Sequence, residues 1–211
     1  MLTKQKIWIP ICAVLAALVV ISLLLWSYYA SDPWDFAREV DPQEAKLRLE
    51  VVQTAQSYLG YCEADGSHEA IVDLYNSHEP LARDYEVTYT DSWCATFVSA
   101  VSIQCSLTDI IPTECGCERQ IELFQNLGCW EESDSYTPLP GDIIYYAWDE
   151  GLQFGDCTGW ADHVGIVVGT AWPFIKVIEG NYEDCVAYRY IPINHPEIRG
   201  YGLPGYNAES E

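Results

Sequence analysis

Three side chains of the kind that hydrolyse amides follow one another along this chain, Cys94, His163 and Glu179, with Asn181 close behind. Sulfur attack on an amide needs a thiolate, a general base within hydrogen-bond reach, and a group that orients the base. Cys94 is the candidate nucleophile. It stands in Asp91-Ser92-Trp93-Cys94-Ala95-Thr96-Phe97-Val98, at what reads as a helix start, with Asp91 or Ser92 placed to cap it. Free backbone N–H groups and the positive end of a helix dipole favour the thiolate there. His163 is the candidate base, entering the buried-strand pattern Asp162–Gly169. Glu179, at the end of Val177-Ile178-Glu179-Gly180-Asn181, would fix the imidazole tautomer. Asn181 falls on the same strand face by alternation and would assist. The Cys94 backbone N–H is one donor for the oxyanion, and Tyr89, a little ahead of it, is the candidate for a second.

Each residue also has a plain structural reading. A buried cysteine is often a small core residue. A histidine beside a strand is often a packed one, and Glu179 and Asn181 also suit a turn. The order of the set carries the functional reading. His68, His78 and His195 have no such context and read as surface residues.

The elements that must position these groups can be read from periodicity and turn chemistry. Asp41-Pro42-Gln43-Glu44 opens a helix, with an apolar stripe at Leu47, Val51, Ala55, Tyr58 and Leu59 and Gly60 as its stop. A short helix is expected near His68–Ser77. The Cys94 helix, with Phe97, Val98, Val101 and Ile103 as its apolar positions, runs to about Gln104, and another covers about Cys117–Leu127 before Gly128. Strands are expected over Gly141–Trp148, Asp162–Val168, Phe174–Glu179, Val186–Ile191 and Ile198–Leu203. Helices followed by antiparallel strands make an α+β domain. Glu63-Ala64-Asp65-Gly66-Ser67 has a faint likeness to a calcium loop and reads as a solvated turn.

The first thirty residues hold Lys4 and Lys6 and no acid, so the remainder sets eight Lys and Arg against 32 Asp and Glu, a formal charge of −24. Such a surface disfavours nucleic acid and anionic membranes. Ile7–Trp26 is an uncharged run of 20 residues, long enough as a helix for a bilayer. The organisation read from this is a cytoplasmic head over 1–6, a transmembrane helix over 7–29, a linker over 30–45 and a catalytic domain over 46–211, outside the cell. Lysines before the span and acids after it set the orientation. A cleaved signal peptide is the alternative, disfavoured by the length of the run and by Tyr28 and Tyr29. Of nine cysteines, Cys12 lies in the apolar run. With Cys94 free, up to three disulfides are possible, Cys115 and Cys117 each pairing elsewhere, for instance one of them with Cys105. Only one tight cysteine pair is visible, so no metal and no cofactor are expected.

Four blocks together resemble the CHAP domains, the cysteine, histidine-dependent amidohydrolases/peptidases. These are Trp93-Cys94-Ala95-Thr96-Phe97-Val98, Pro140-Gly141-Asp142-Ile143-Ile144, His163-Val164-Gly165-Ile166-Val167 and Ile178-Glu179-Gly180-Asn181. Arg199-Gly200-Tyr201-Gly202-Leu203-Pro204 is similar to the end of such domains, and the likeness spans roughly Val51 to Tyr206. The resemblance implies a papain-like α+β fold, with N-terminal helices packed on an antiparallel β-sheet. It implies hydrolysis of an amide in bacterial peptidoglycan, with Cys94 as nucleophile, His163 as base, Glu179 as third member and Asn181 assisting. The bond would lie in a stem peptide or cross-bridge, or join muramic acid to alanine. No wall-binding repeat is recognisable, so the anchor or an envelope-complex protein would supply targeting. Cysteines are unusually many, and a Cys157–Cys185 bridge at the rim of the site is one expectation. The rival readings are a silent wall-binding or assembly module and an amidase acting on a small soluble amide.

Overall fold

A computed structural model describes residues 13–24, 40–133, 135–148 and 157–207. Residues 13–24 are helical, and their apolar side chains, among them Leu15, Leu18, Val19 and Leu23, are exposed. Among the described residues no helix is long and apolar enough to cross a membrane. The rest of the 7–29 span, and much of the expected linker, lie outside the described residues.

The domain runs α1 (Pro42–Ser57), α2 (Glu69–Asn76), α3 (Cys94–Gln104), α4 (Cys117–Asn126), β1 (Trp130–Glu131), β2 (Ile143–Tyr146), β3 (His163–Ala171), β4 (Phe174–Tyr182), β5 (Cys185–Pro192) and β6 (Ile198–Gly202). The strands form one antiparallel sheet in the order β1-β6-β2-β3-β4-β5. The α+β class expected from the sequence is therefore present, with helices first and sheet second.

Alternation along the strands builds two cores. Ile143, Tyr145, Val164, Ile166, Val168 and Ile178 face the helices, joining Val51, Phe97, Val98, Val101 and Phe124. Ile144, Tyr146, Val167, Val177, Ile191 and Tyr201 fill the opposite face. α3 is the central helix, packed on β3 and β4 with α1 and α2 against it. Every residue from Cys94 to Ser102 is buried, so this helix is wrapped on all sides rather than amphipathic. Its two buried serines are satisfied by backbone: Ser99 Oγ donates to Glu114 O at 2.7 Å and Ser102 Oγ to Ile111 O at 2.6 Å.

The start of α1 is as its sequence predicts. Asp41 accepts from Gln43 N at 2.8 Å, and Pro42 takes the first turn. The apolar stripe differs, because Leu59 lies beyond the helix end and is exposed, while Arg48 is buried. Arg48 donates to Glu44, to Pro140 O and to Asp142, the last at 2.8 Å, and its guanidinium lies over Tyr206. Asp142 also accepts from Leu139 N and Tyr136 OH. Pro140-Gly141-Asp142 is thus the lock between α1 and the sheet. Gly141 is required there, with φ +85 and an added Cβ only 2.9 Å from Tyr206 Oη. Asp142→Asn is expected to cost roughly 3 kcal/mol, because it removes one of the two carboxylates that meet the buried Arg48 guanidinium and leaves only Glu44. Urea unfolding of the full chain reads this directly, and a loss below about 1 kcal/mol would remove Asp142 from that role.

The cysteines depart from expectation. Among the described residues Cys62 and Cys185 form a disulfide, S–S 2.10 Å, while Cys94, Cys105, Cys115, Cys117, Cys129 and Cys157 are free thiols. The bridge follows the backbone: Gly60 N donates to Val186 O, Val186 N to Tyr61 O and Glu63 N to Asp184 O, which sets Cys62 opposite Cys185. Cys185 is thereby taken, and the Cys157–Cys185 pairing does not form. His68, expected at the surface, is buried against Trp93. The Glu63–Ser67 turn closes on itself, with Asp65 accepting from Ser67 N and Glu63 accepting from Trp93 Nε1.

Candidate active site

Cys94 is the first residue of α3, 5 % exposed. Trp93 occupies the N-cap and offers no side-chain cap. Asp91, expected to cap the helix, instead closes the preceding turn, accepting from Thr88 N, Thr88 Oγ1 and Tyr85 OH. The first-turn amides of α3 are therefore left for the sulfur and for an incoming oxygen.

His163 opens β3, so its side chain stands at the strand mouth rather than inside the sheet. Its ring stacks on Tyr146 at 5.9 Å and meets the Trp148 edge at 5.7 Å. Nε2 lies 3.0 Å from Glu179 Oε2, and the ring is near enough to Cys94 for each to shift the other's proton affinity. With Nε2 committed to the carboxylate, Nδ1 is the nitrogen for the thiol. Glu179 is fully buried, yet its charge is met from two sides. Arg189 Nε donates to both oxygens, at 2.9 and 2.8 Å, opposite His163. The Arg189 guanidinium is itself sandwiched, 4.1 Å from the Trp148 ring centre and 4.0 Å from that of Tyr182. A buried carboxylate with two cationic partners and aromatic walls is a fixed acceptor for the imidazole.

The electrostatics run in opposite directions at the two reacting groups. The Cys94 thiol is held well below its ordinary value, first by the Cys117 thiol, against the pull of burial, then by the His163 hydrogen bond and charge and by the Ala95 N–H. Burial pulls His163 down, but hydrogen bonds with Cys94 and Glu179 and their charges outweigh it and raise the imidazole to about 9. Between those two limits the pair is thiolate and imidazolium, the reactive form of a cysteine hydrolase.

A scan against protein-family models, a search of curated proteins and a search of solved structures each return no match.

The structure brings Cys94, His163 and Glu179 together, and gives Asn181 and Tyr89 other settings. Asn181 has φ 57, and the β4–β5 register slips between Glu179 and Tyr182. Alternation does not carry across that bulge, so it no longer argues that the two residues share a face, and the His163 contact is with Glu179. Tyr89 is 43 % exposed, its hydroxyl donating to Asp73 at 2.7 Å and its carbonyl 3.0 Å from His68 Nε2. That leaves the Cys94 N–H as the oxyanion donor in view. Sequence reasoning missed Arg189 and Cys117. The first had a signal, a cation in mid-strand in a chain with few. Its strand position lies diagonally across from Glu179, since Arg189 pairs with Val177. Cys117 had none beyond its place at a helix start.

Proposed function

We propose that this domain is a peptidoglycan hydrolase that cleaves an amide bond through Cys94. One observation carries the reading: an imidazole hydrogen-bonded to a buried carboxylate beside a helix-start thiol held below its ordinary value. The Cys94 thiolate attacks the carbonyl, and the oxyanion is held by the Cys94 N–H. His163 gives its proton to the leaving amine, and an acyl-enzyme remains. His163 then takes a proton from water, which attacks the thioester and frees Cys94. Glu179 keeps the imidazole oriented throughout, and Arg189, bonded to both its oxygens, keeps Glu179 in place.

The substrate is a bond in the stem peptide or cross-bridge, or the one between muramic acid and alanine. Two surface hollows lie mostly along the segments before α3, neither lined by Cys94, His163 or Glu179. One, of about 330 Å³, is lined by Arg83, Tyr85, Val87, Asp91, Ser92 and Cys115, just ahead of the nucleophile. The other, of about 600 Å³, carries Asp73 and Glu86, which suit the ammonium of a diamino acid. Residues 7–29 serve as the anchor in this reading, with the domain on the outer side of the membrane of a bacterial cell. The exposed apolar side chains of the helix at 13–24 and the Cys62–Cys185 disulfide favour that placement.

The test uses the detergent-solubilised full chain and its Cys94→Ala variant on purified peptidoglycan, with fragments read by mass spectrometry. The expected loss in the variant is at least about 10³-fold. New amino termini within stem peptides identify an endopeptidase, and intact stem peptides freed from glycan identify an amidase. Equal release by both proteins, or none by the folded parent, overturns the reading.

A further inference from the structure

Cys117 has no task in this scheme, yet it touches the centre of it. It opens α4 as Cys94 opens α3, and the two Sγ atoms are 3.6 Å apart. The first turn of α4 is tied down on two sides. Gln120 accepts from Tyr145 OH at 2.9 Å and donates to Pro112 O at 2.8 Å, which fixes the turn to β2 and to the loop before it. Glu118 accepts from Ala161 N at 2.9 Å, which fixes the same turn to the segment leading into His163. Cys117 is therefore carried by the same framework that carries the base, and its buried sulfur points at the nucleophile.

The surroundings decide which sulfur keeps the proton. Cys94 faces His163 and the Ala95 N–H, both of which favour an anion. Cys117 faces the Cys94 sulfur and the field of the Asp162 carboxylate in a buried setting, and its thiol is pushed well above the ordinary value. One charged sulfur excludes a second beside it, so the pair holds a single proton, on Cys117.

We propose that Cys117 is the positioning residue of the nucleophile: its S–H donates to the Cys94 thiolate and holds that sulfur beside His163. The bond is charge-assisted, although a neutral thiol is a poor donor. It limits the rotamers open to the Cys94 side chain while leaving sulfur lone pairs for attack. The proposal rests on Cys94 being the nucleophile of the hydrolytic reading, and its readout does not need wall hydrolysis.

The experiment compares the reduced full chain with Cys117→Val, which keeps volume without a donor, and Cys117→Ser, which keeps a donor. The rate of Cys94 modification by iodoacetamide is followed against pH, with the Cys94 peptide resolved by mass spectrometry. In Cys117→Val the rate at neutral pH falls about 10-fold and the midpoint of the profile moves upward. Cys117→Ser recovers most of the parent profile. Hydrolysis by Cys117→Val falls mainly in kcat, with KM nearly unchanged. A Cys117→Val profile that coincides with the parent overturns the proposal, and so does lost activity with an unmoved profile, which is a packing effect. A displaced profile in a chain whose parent releases nothing from peptidoglycan supports the positioning role and overturns the wall-hydrolase reading instead.

Discussion

Glu179→Gln is expected to cut amide hydrolysis by roughly 10²- to 10³-fold and to move the alkaline limb of the pH profile downward. The substitution keeps the shape of the side chain and an oxygen for His163 Nε2–H, but removes the charge. In the parent, His163 stands at about 9, above its ordinary value of 6.5. A base raised in this way contributes stability that is complete below its ordinary value and fades as pH climbs through about 9. The thiolate–imidazolium pair is bounded by the same upper limit, so the parent should lose activity as pH rises past it. Without Glu179 one of the two supports for the imidazolium is gone while burial still opposes it, and the limb falls toward the ordinary histidine range. The pH dependence of kcat/KM measures this. An alkaline limb that stays near 9 in the variant would show that Cys94 alone sustains the imidazolium.

The same variant carries a second consequence. Arg189 loses the carboxylate that its Nε meets, although its stacking on Trp148 and Tyr182 survives. Stability should therefore fall together with activity. Adding Arg189→Met to Glu179→Gln removes the stranded cation and should restore much of the stability but none of the rate. That split separates a side chain needed for the reaction from one needed only for folding.

The reacting groups were legible because each sits at an element boundary that local pattern marks. Cys94 follows a turn and opens an apolar helix, His163 is the first residue of a strand, and Glu179 ends the next strand's apolar run. The supporting groups were not, because pairing across the sheet or between helices creates them. Arg189 meets Glu179 only through the β4–β5 register, and Cys117 meets Cys94 only because α4 docks beside α3. Asn181 shows the limit of alternation as a guide, since one residue in the left-handed region at a bulge undoes the count. The Cys62–Cys185 bridge joins residues 123 apart in sequence, through a backbone seam that no spacing rule foresees.

Gly180→Ala should be the most damaging small substitution near the site, for a reason that lies in the approach of helix to sheet. A Cβ at position 180 would come within 2.4 Å of Phe97 Cβ, 2.7 Å of Phe97 Cγ and 2.9 Å of Trp93 Cζ3. Phe97 Cβ is attached to the backbone and both side chains are fully buried, so neither can swing aside. Helix α3 has to lift from β4, or β4 has to bow away. Phe97 is one helical turn beyond Cys94 and Trp93 is the residue before it, so the nucleophile moves with the clash. Gly180 is also bonded to Glu179, so the carboxylate moves the other way. A displacement near 1 Å between nucleophile and base is enough to lose about 10²-fold in rate, and overpacking of this kind costs roughly 1–3 kcal/mol. Phe97→Ala alone opens space and should cost stability; combined with Gly180→Ala it removes the Cγ contact while the Cβ contact stays, so it should return a small part of the lost rate. Steady-state hydrolysis and urea unfolding of the three variants test the coupling. Additive effects on rate would mean that the close contact of Gly180 with Phe97 does not set the distance from Cys94 to His163.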